Sequence, residues 1–104
     1  MDSTKAPNIS NLQDYVRSVL SERGFDDETV LEKCLLLGEE VGELFKAIRK
    51  TQEMKCDDNS KFSKVEHELA DVLMYVMDIA NKCGIDMENA FIEKENINKE
   101  RIWK

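Results

Sequence analysis

The chain is poor in the residues that build turns: four glycines and one proline, Pro7, in 104 residues. That scarcity excludes an all-β fold, which needs turn chemistry at every strand junction. It also leaves no glycine-rich phosphate loop. There is one histidine, His67. A Ser-His-Asp arrangement is absent, and so is the pair of E-x-x-H helices that a di-iron carboxylate bundle requires. The three cysteines, Cys34, Cys56 and Cys83, are odd in number, far apart and match no zinc spacing. They read as reduced thiols of a cytoplasmic protein, with Cys34 and Cys83 expected to pack as small hydrophobes. The N-terminal stretch lacks the apolar core of a signal peptide. No apolar run approaches the roughly 18 residues needed to span a bilayer, so no membrane partner is expected. Basic residues are outnumbered, and the net charge of −7 argues against a nucleic-acid partner. A polyphosphate ligand would need metal ions to bridge the like charges.

What the chain does have is helical periodicity. Charged residues make up 36% and apolar residues 41%, which suits one small water-exposed helical domain. Residues 1–9 read as a flexible arm and residues 10–104 as the domain. Ser10 and Gln13 form a capping-box pattern that opens a short amphipathic helix through Leu12, Val16, Val19 and Leu20, stopped by Gly24. Thr29 and Glu32 repeat the pattern. Val30, Cys34, Leu37, Val41, Leu44 and Ile48 then alternate spacings of four and three, a sustained seam ending near Lys50 or Thr51. A third helix starts near Ser60, and Phe62, Val65, Leu69, Val72, Val76, Ile79 and Cys83 carry its seam to Gly84. From Leu69 to Ala80 it is apolar almost all round, the pattern of a helix buried on several faces and, in so small a protein, at the centre of an oligomer. Asp86 caps a fourth helix, which runs to Ile102 and Trp103.

Two pairs of acids stand out, Glu40 with Glu43 and Glu68 with Asp71. Each pair is spaced i,i+3 and projects from one helical face. Twenty-two of the 104 residues are acidic, so a solvated face is the default for such pairs. Placement is the stronger signal. Each of the four acids precedes a seam position, so antiparallel packing of the two helices lines one cleft with carboxylates. Asp71 sits inside a run of apolar residues, and a buried unpaired carboxylate costs several kcal/mol. A hard divalent cation or a cross-helix lysine would each answer that need. Gly38 and Gly42 are unusual in a helix interior and imply either close packing or room for a ligand. His67 reads as a surface residue, and Met74 and Met77 as core. Lys94, Lys99, Arg101 and Lys104 suit either phosphate binding or solubility.

Gly38-Glu-Glu-Val-Gly-Glu-Leu44 and the later Glu68-Leu-Ala-Asp-Val-Leu-Met-Tyr75 together resemble the MazG-like nucleotide pyrophosphohydrolases. The family pattern is E-E-x-x-E followed by E-x-x-D on the next long helix. Cys83-Gly-Ile-Asp86, then Lys94, Asn98 and Arg101, resembles its closing segment, although Ile102-Trp103 replaces an Arg-Tyr-Pro-like ending. The resemblance implies an all-α fold: a four-helix MazG-like bundle completed by homo-oligomerisation into a homodimer or a dimer of dimers. It implies hydrolysis of (deoxy)nucleoside triphosphates to monophosphate and pyrophosphate with Mg²⁺, or with Mn²⁺ in its place, as house-cleaning of nucleotide pools. Glu40, Glu43, Glu68 and Asp71 fall on metal-ligand positions. Glu39 falls on an extra acid that holds a further metal or orients the attacking water, and is the candidate catalytic residue. Tyr75, Lys94, Asn98 and Arg101 match nucleotide-contacting positions. A phenol at Tyr75 can pack where a 2′-hydroxyl would sit, so deoxynucleotides are the expected preference. The rival readings are a phosphoribosyl-ATP pyrophosphohydrolase-like enzyme of the same fold and a non-enzymatic helical interaction or regulatory module.

Overall fold

Each helix boundary has a local chemical cause. The computed structural model describes residues 8–59 and 61–102, which form α1 (Ile9–Glu22), α2 (Val30–Thr51), α3 (Val65–Lys82) and α4 (Met87–Lys99). The arm expected over residues 1–9 lies outside the described residues for 1–7. Asn8 is the N-cap of α1, and its side chain accepts from the Asn11 amide at 2.7 Å. Ser10 is therefore not the cap, and Gln13 turns inward instead of closing a box. At α2 the expected cap holds: the Thr29 hydroxyl accepts from the Glu32 amide and donates to the Glu32 carboxylate, both at 3.1 Å. Asp86 caps α4 by accepting from the Glu88 and Asn89 amides at 3.0 and 3.3 Å. α3 begins at Val65 rather than near Ser60, which lies outside the described residues. Lys64 occupies its N-cap and provides no side-chain cap.

α1 and α3 end in the same way. Gly24 and Gly84 adopt φ of +82° and +67°. Phe25 then donates to the Leu20 carbonyl and Ile85 to the Ala80 carbonyl, both at 2.9 Å, closing two Schellman turns. Glycine is required at both positions because the left-handed region is strained for residues with a Cβ. α4 stops at Lys99. Ile102 lies beyond it in irregular chain, and Trp103 lies outside the described residues.

α2 and α3 pack antiparallel: Lys33 near the start of α2 meets Asp78 near the end of α3, and Glu40 meets Glu68 and Asp71 midway. α1 lies against α3, and α4 lies against α1. The buried apolar core among the described residues is small, consisting of Val16, Ala47, Met77 and Ala80. Gln13, Lys33, Glu68 and Asp78 are buried beside it. Gln13 ties α1 to the α3–α4 turn. Its amide donates to Asn81 Oδ1 at 2.9 Å and to the Ile85 carbonyl at 2.7 Å, and its oxygen accepts from the Met87 amide at 3.0 Å.

The seam residues Leu37, Val41, Leu44, Val72, Val76 and Ile79 are only half-buried. Cys34 and Cys83 are exposed, contrary to expectation, and so is Cys56. Lys33 takes the position facing α3, which turns Cys34 outward, and Cys83 is the C-cap of α3. A Cβ at Gly38 or Gly42 would meet nothing within 4 Å, so close packing within the chain does not explain either glycine. They belong to a second stripe, Leu31, Leu35, Gly38, Gly42 and Phe45, whose three large side chains are 70%, 65% and 61% exposed.

Candidate functional site

Midway along α2 and α3 the antiparallel packing sets three carboxylates together. Oxygens of Glu40, Glu68 and Asp71 all lie within 4.8 Å of one another. Two oxygens on opposite sides of one Mg²⁺ stand about 4.2 Å apart, so this cluster is close to the span of a single coordination sphere. Glu68 is buried, and the Ser63 hydroxyl, just ahead of α3, donates to its Oε1. Its Oε2 is also buried but has no hydrogen-bond donor from the protein. A buried carboxylate oxygen left in this way needs a proton or a cation.

The electrostatics agree. Glu40 is pushed up from 4.5 to about 7, first by burial and then by a hydrogen bond to the Glu68 carboxyl. The negative charges of Asp71, Glu68 and Glu43 add to the effect. The donor set consists entirely of oxygen, and a hard divalent ion fits it. The alternative of a cross-helix lysine is met at another acid: Lys33 of α2 pairs with Asp78 at 2.6 Å.

The remaining site candidates divide by position. Glu43 is exposed one turn beyond Glu40, outside the three-carboxylate cluster but close enough for its charge to act on Glu40. Glu39 is exposed on α2, next to Glu40 in sequence and outside the three-carboxylate cluster. Tyr75 joins Glu40 and Asp71 in lining a cleft of about 330 Å³, whose other walls include Leu36, Met74, Phe25 and Arg23. Burial, followed by the charges of Glu40, Glu28, Asp78 and Asp71, raises the Tyr75 phenol above its usual range. Lys94, Asn98 and Arg101 do not line this cleft, because α4 leaves the Gly84 turn and packs on α1. Asn98 Oδ1 is buried and accepts no hydrogen bond. His67 is exposed, as its sequence context suggested.

Sequence reasoning missed Lys33, Asp78 and the segment 23–28 that walls the cleft. A signal was available: Lys33 lies two turns before Glu40 and Asp78 two turns after Asp71, on the same faces as the acids.

The comparisons with known proteins converge on one family. A family model described as the MazG nucleotide pyrophosphohydrolase domain matches residues 27–101. A dATP/dGTP diphosphohydrolase of Salmonella phage PMBT28 is 32% identical over 96 residues. That alignment covers 92% of this chain, and the chain spans 28% of the length of the phage protein. Crystal structures of iMazG from Vibrio DAT 722 resemble the fold. The Ntag form has a TM-score of 0.69 at 31% identity, over 94% of this chain and 100% of that one. The Ctag form has a TM-score of 0.68 at 33% identity, over 89% and 99%.

Proposed function

This chain belongs to the MazG nucleotide pyrophosphohydrolase family, and we propose that it hydrolyses nucleoside triphosphates to monophosphate and pyrophosphate with Mg²⁺. The observation that carries the reading is the convergence of Glu40, Glu68 and Asp71 at the edge of an open cleft, with a buried Glu68 oxygen that lacks a donor. Glu40, Glu68 and Asp71 would hold the ion, with Glu43 completing the set from the next turn of α2. Bound there, a divalent cation neutralises phosphate charge and lowers the pKa of a coordinated water. Mn²⁺ suits the same donors. Glu39, exposed next to Glu40 in sequence, is the residue proposed to orient or deprotonate the attacking water.

The cleft supports a nucleotide substrate. Its volume of about 330 Å³ falls at the lower end of ligand pockets. Its walls combine apolar surface from Leu36, Met74 and Phe25 with the Tyr75 phenol. Tyr75 stands one turn from Asp71, where a sugar would follow the phosphates, which favours deoxynucleotides. The naming of the phage relative for dATP and dGTP is consistent with that preference. The role that follows is clearance of surplus or unwanted nucleotides.

A second copy completes the assembly. The radius of gyration is 16.5 Å, against about 13 Å for a compact domain of this length. Leu69 and Leu73 on α3 are exposed as well as the α2 stripe. So large an apolar surface marks an interface, here between copies in a homodimer or a dimer of dimers. Lys94, Asn98 and Arg101 then serve a nucleotide held by the neighbouring copy. Three exposed free thiols suit a reducing, cytoplasmic location, and among the described residues no helix is long and apolar enough to cross a membrane.

Pyrophosphate release from a panel of ribo- and deoxynucleoside triphosphates, with and without Mg²⁺, tests the whole reading. Metal-dependent release of one pyrophosphate per monophosphate is the expected result. Stepwise release of orthophosphate, or no turnover on any nucleotide, refutes it.

A further inference from the structure

Lys33 is 1% exposed, the largest fully buried side chain among the described residues. Its ammonium meets three oxygens from two other elements. Asp78 Oδ2 on α3 accepts at 2.6 Å, the Phe25 carbonyl accepts at 3.2 Å, and Glu28 Oε1 stands at 3.7 Å. Phe25 and Glu28 belong to the α1–α2 connection. The same connection is held from α3 a second time, because Lys82 donates to the Asp26 carbonyl. Ser21 donates to the Asp26 carboxylate at 3.2 Å. One α2 lysine and one α3 lysine thus grip the backbone of a segment that has no regular structure of its own.

Burying an ammonium costs several kcal/mol, and apolar residues of similar volume often replace a buried ion pair with no loss of stability. Folding alone therefore does not account for Lys33. Position does. Phe25, Glu28 and Asp78, the three residues that Lys33 touches, all line the cleft that opens on Glu40 and Asp71. The Phe25 carbonyl is anchored by Lys33, while the residue remains 46% exposed and lines the cleft. A backbone so fixed presents a preorganised wall at no ordering cost on binding.

We propose that Lys33 is a positioning residue: it clamps segment 25–28 to α3, so that Phe25 and Glu28 form a rigid wall for the part of the nucleotide remote from the carboxylates. Lys33 touches no substrate. The inference rests on the nucleotide-hydrolase reading for its kinetic consequence and on geometry alone for the clamp.

The test uses the full chain with Mg²⁺, the Lys33→Met variant and the Lys33→Met/Asp78→Leu double variant. The double variant removes both buried charges, so it keeps the test decisive if the single variant fails to fold. In the double variant the melting temperature should return to near the wild-type value. KM for the best deoxynucleotide should stay raised on the order of tenfold, with kcat changed less than about twofold. Amide exchange across residues 25–28 should be faster than in the wild type. A double variant that regains both stability and wild-type KM overturns the proposal, since Lys33 would then be structural only. Exchange of residues 25–28 in the wild type at free-peptide rates overturns it whatever the variants do. A wild type that hydrolyses nothing speaks against the activity alone, because the exchange measurement reads the clamp without turnover.

Discussion

Glu40→Gln should stabilise the metal-free protein, and only above a definite pH. Glu40 is pushed from 4.5 to about 7 in the folded chain, chiefly by burial and then by the Glu68 carboxyl. Below pH 4.5 the group is protonated in folded and unfolded chains alike and contributes nothing. Between these values the unfolded chain releases the proton while the folded chain keeps it, so stability falls as pH rises. Above about 7 the full penalty is present. At ~1.4 kcal/mol per pH unit the interval sets a ceiling of about 3 kcal/mol. The site opens to solvent, and screening reduces this to about 1–2 kcal/mol. For a domain of this length that is a shift in melting temperature of about 4–10 °C. The assay is thermal unfolding of chelator-treated protein from pH 4.5 to 8.5 at one protein concentration, since self-association couples to stability. Wild type should lose stability across the interval, and the stabilisation by Glu40→Gln should grow with pH to a plateau. Mg²⁺ should reverse the ordering above pH 7 by supplying the missing partner charge. Parallel pH curves for the two metal-free proteins, or a wild type that gains stability through the interval while the variant does not, would refute the electrostatic account.

Asp71→Asn or Glu43→Gln should abolish pyrophosphate release while leaving the helical circular dichroism intact; near-wild-type turnover in either rules that residue out as a ligand. Leu35→Asp or Val76→Asp should convert the assembly to monomers or unfolded chains in sedimentation at micromolar concentration, and a wild-type chain that is itself a stable monomer contradicts the proposed interface. Tyr75→Ala should raise KM for a deoxynucleotide and narrow the ratio of kcat/KM between matched deoxy and ribo substrates by roughly threefold to tenfold. An unchanged ratio with lowered stability assigns Tyr75 to packing.

The number of helices and most of their ends were legible in the chain, because capping and helix termination are decided within a few residues. Thr29, Asp86, Gly24 and Gly84 act through hydrogen bonds to their own flanking backbone, and these survive any tertiary arrangement. The acids were legible for a related reason: i,i+3 spacing on two apolar helices constrains which side chains share a face. Where a distant partner decides, local reading failed. Gln13 looked like part of a capping box until Asn81, Ile85 and Met87 supplied its partners from the far end of the chain. Lys33 drew no notice in the sequence, because only the antiparallel register sets Asp78 opposite it. The register also separated the acids, drawing Glu40, Glu68 and Asp71 into one cluster and leaving Glu43 a turn away. Sequence spacing determines which residues point the same way along one helix. Which residues on two helices meet, and which carboxylate keeps its proton, depends on how far α2 and α3 slide past each other, and that is decided only when the helices pack.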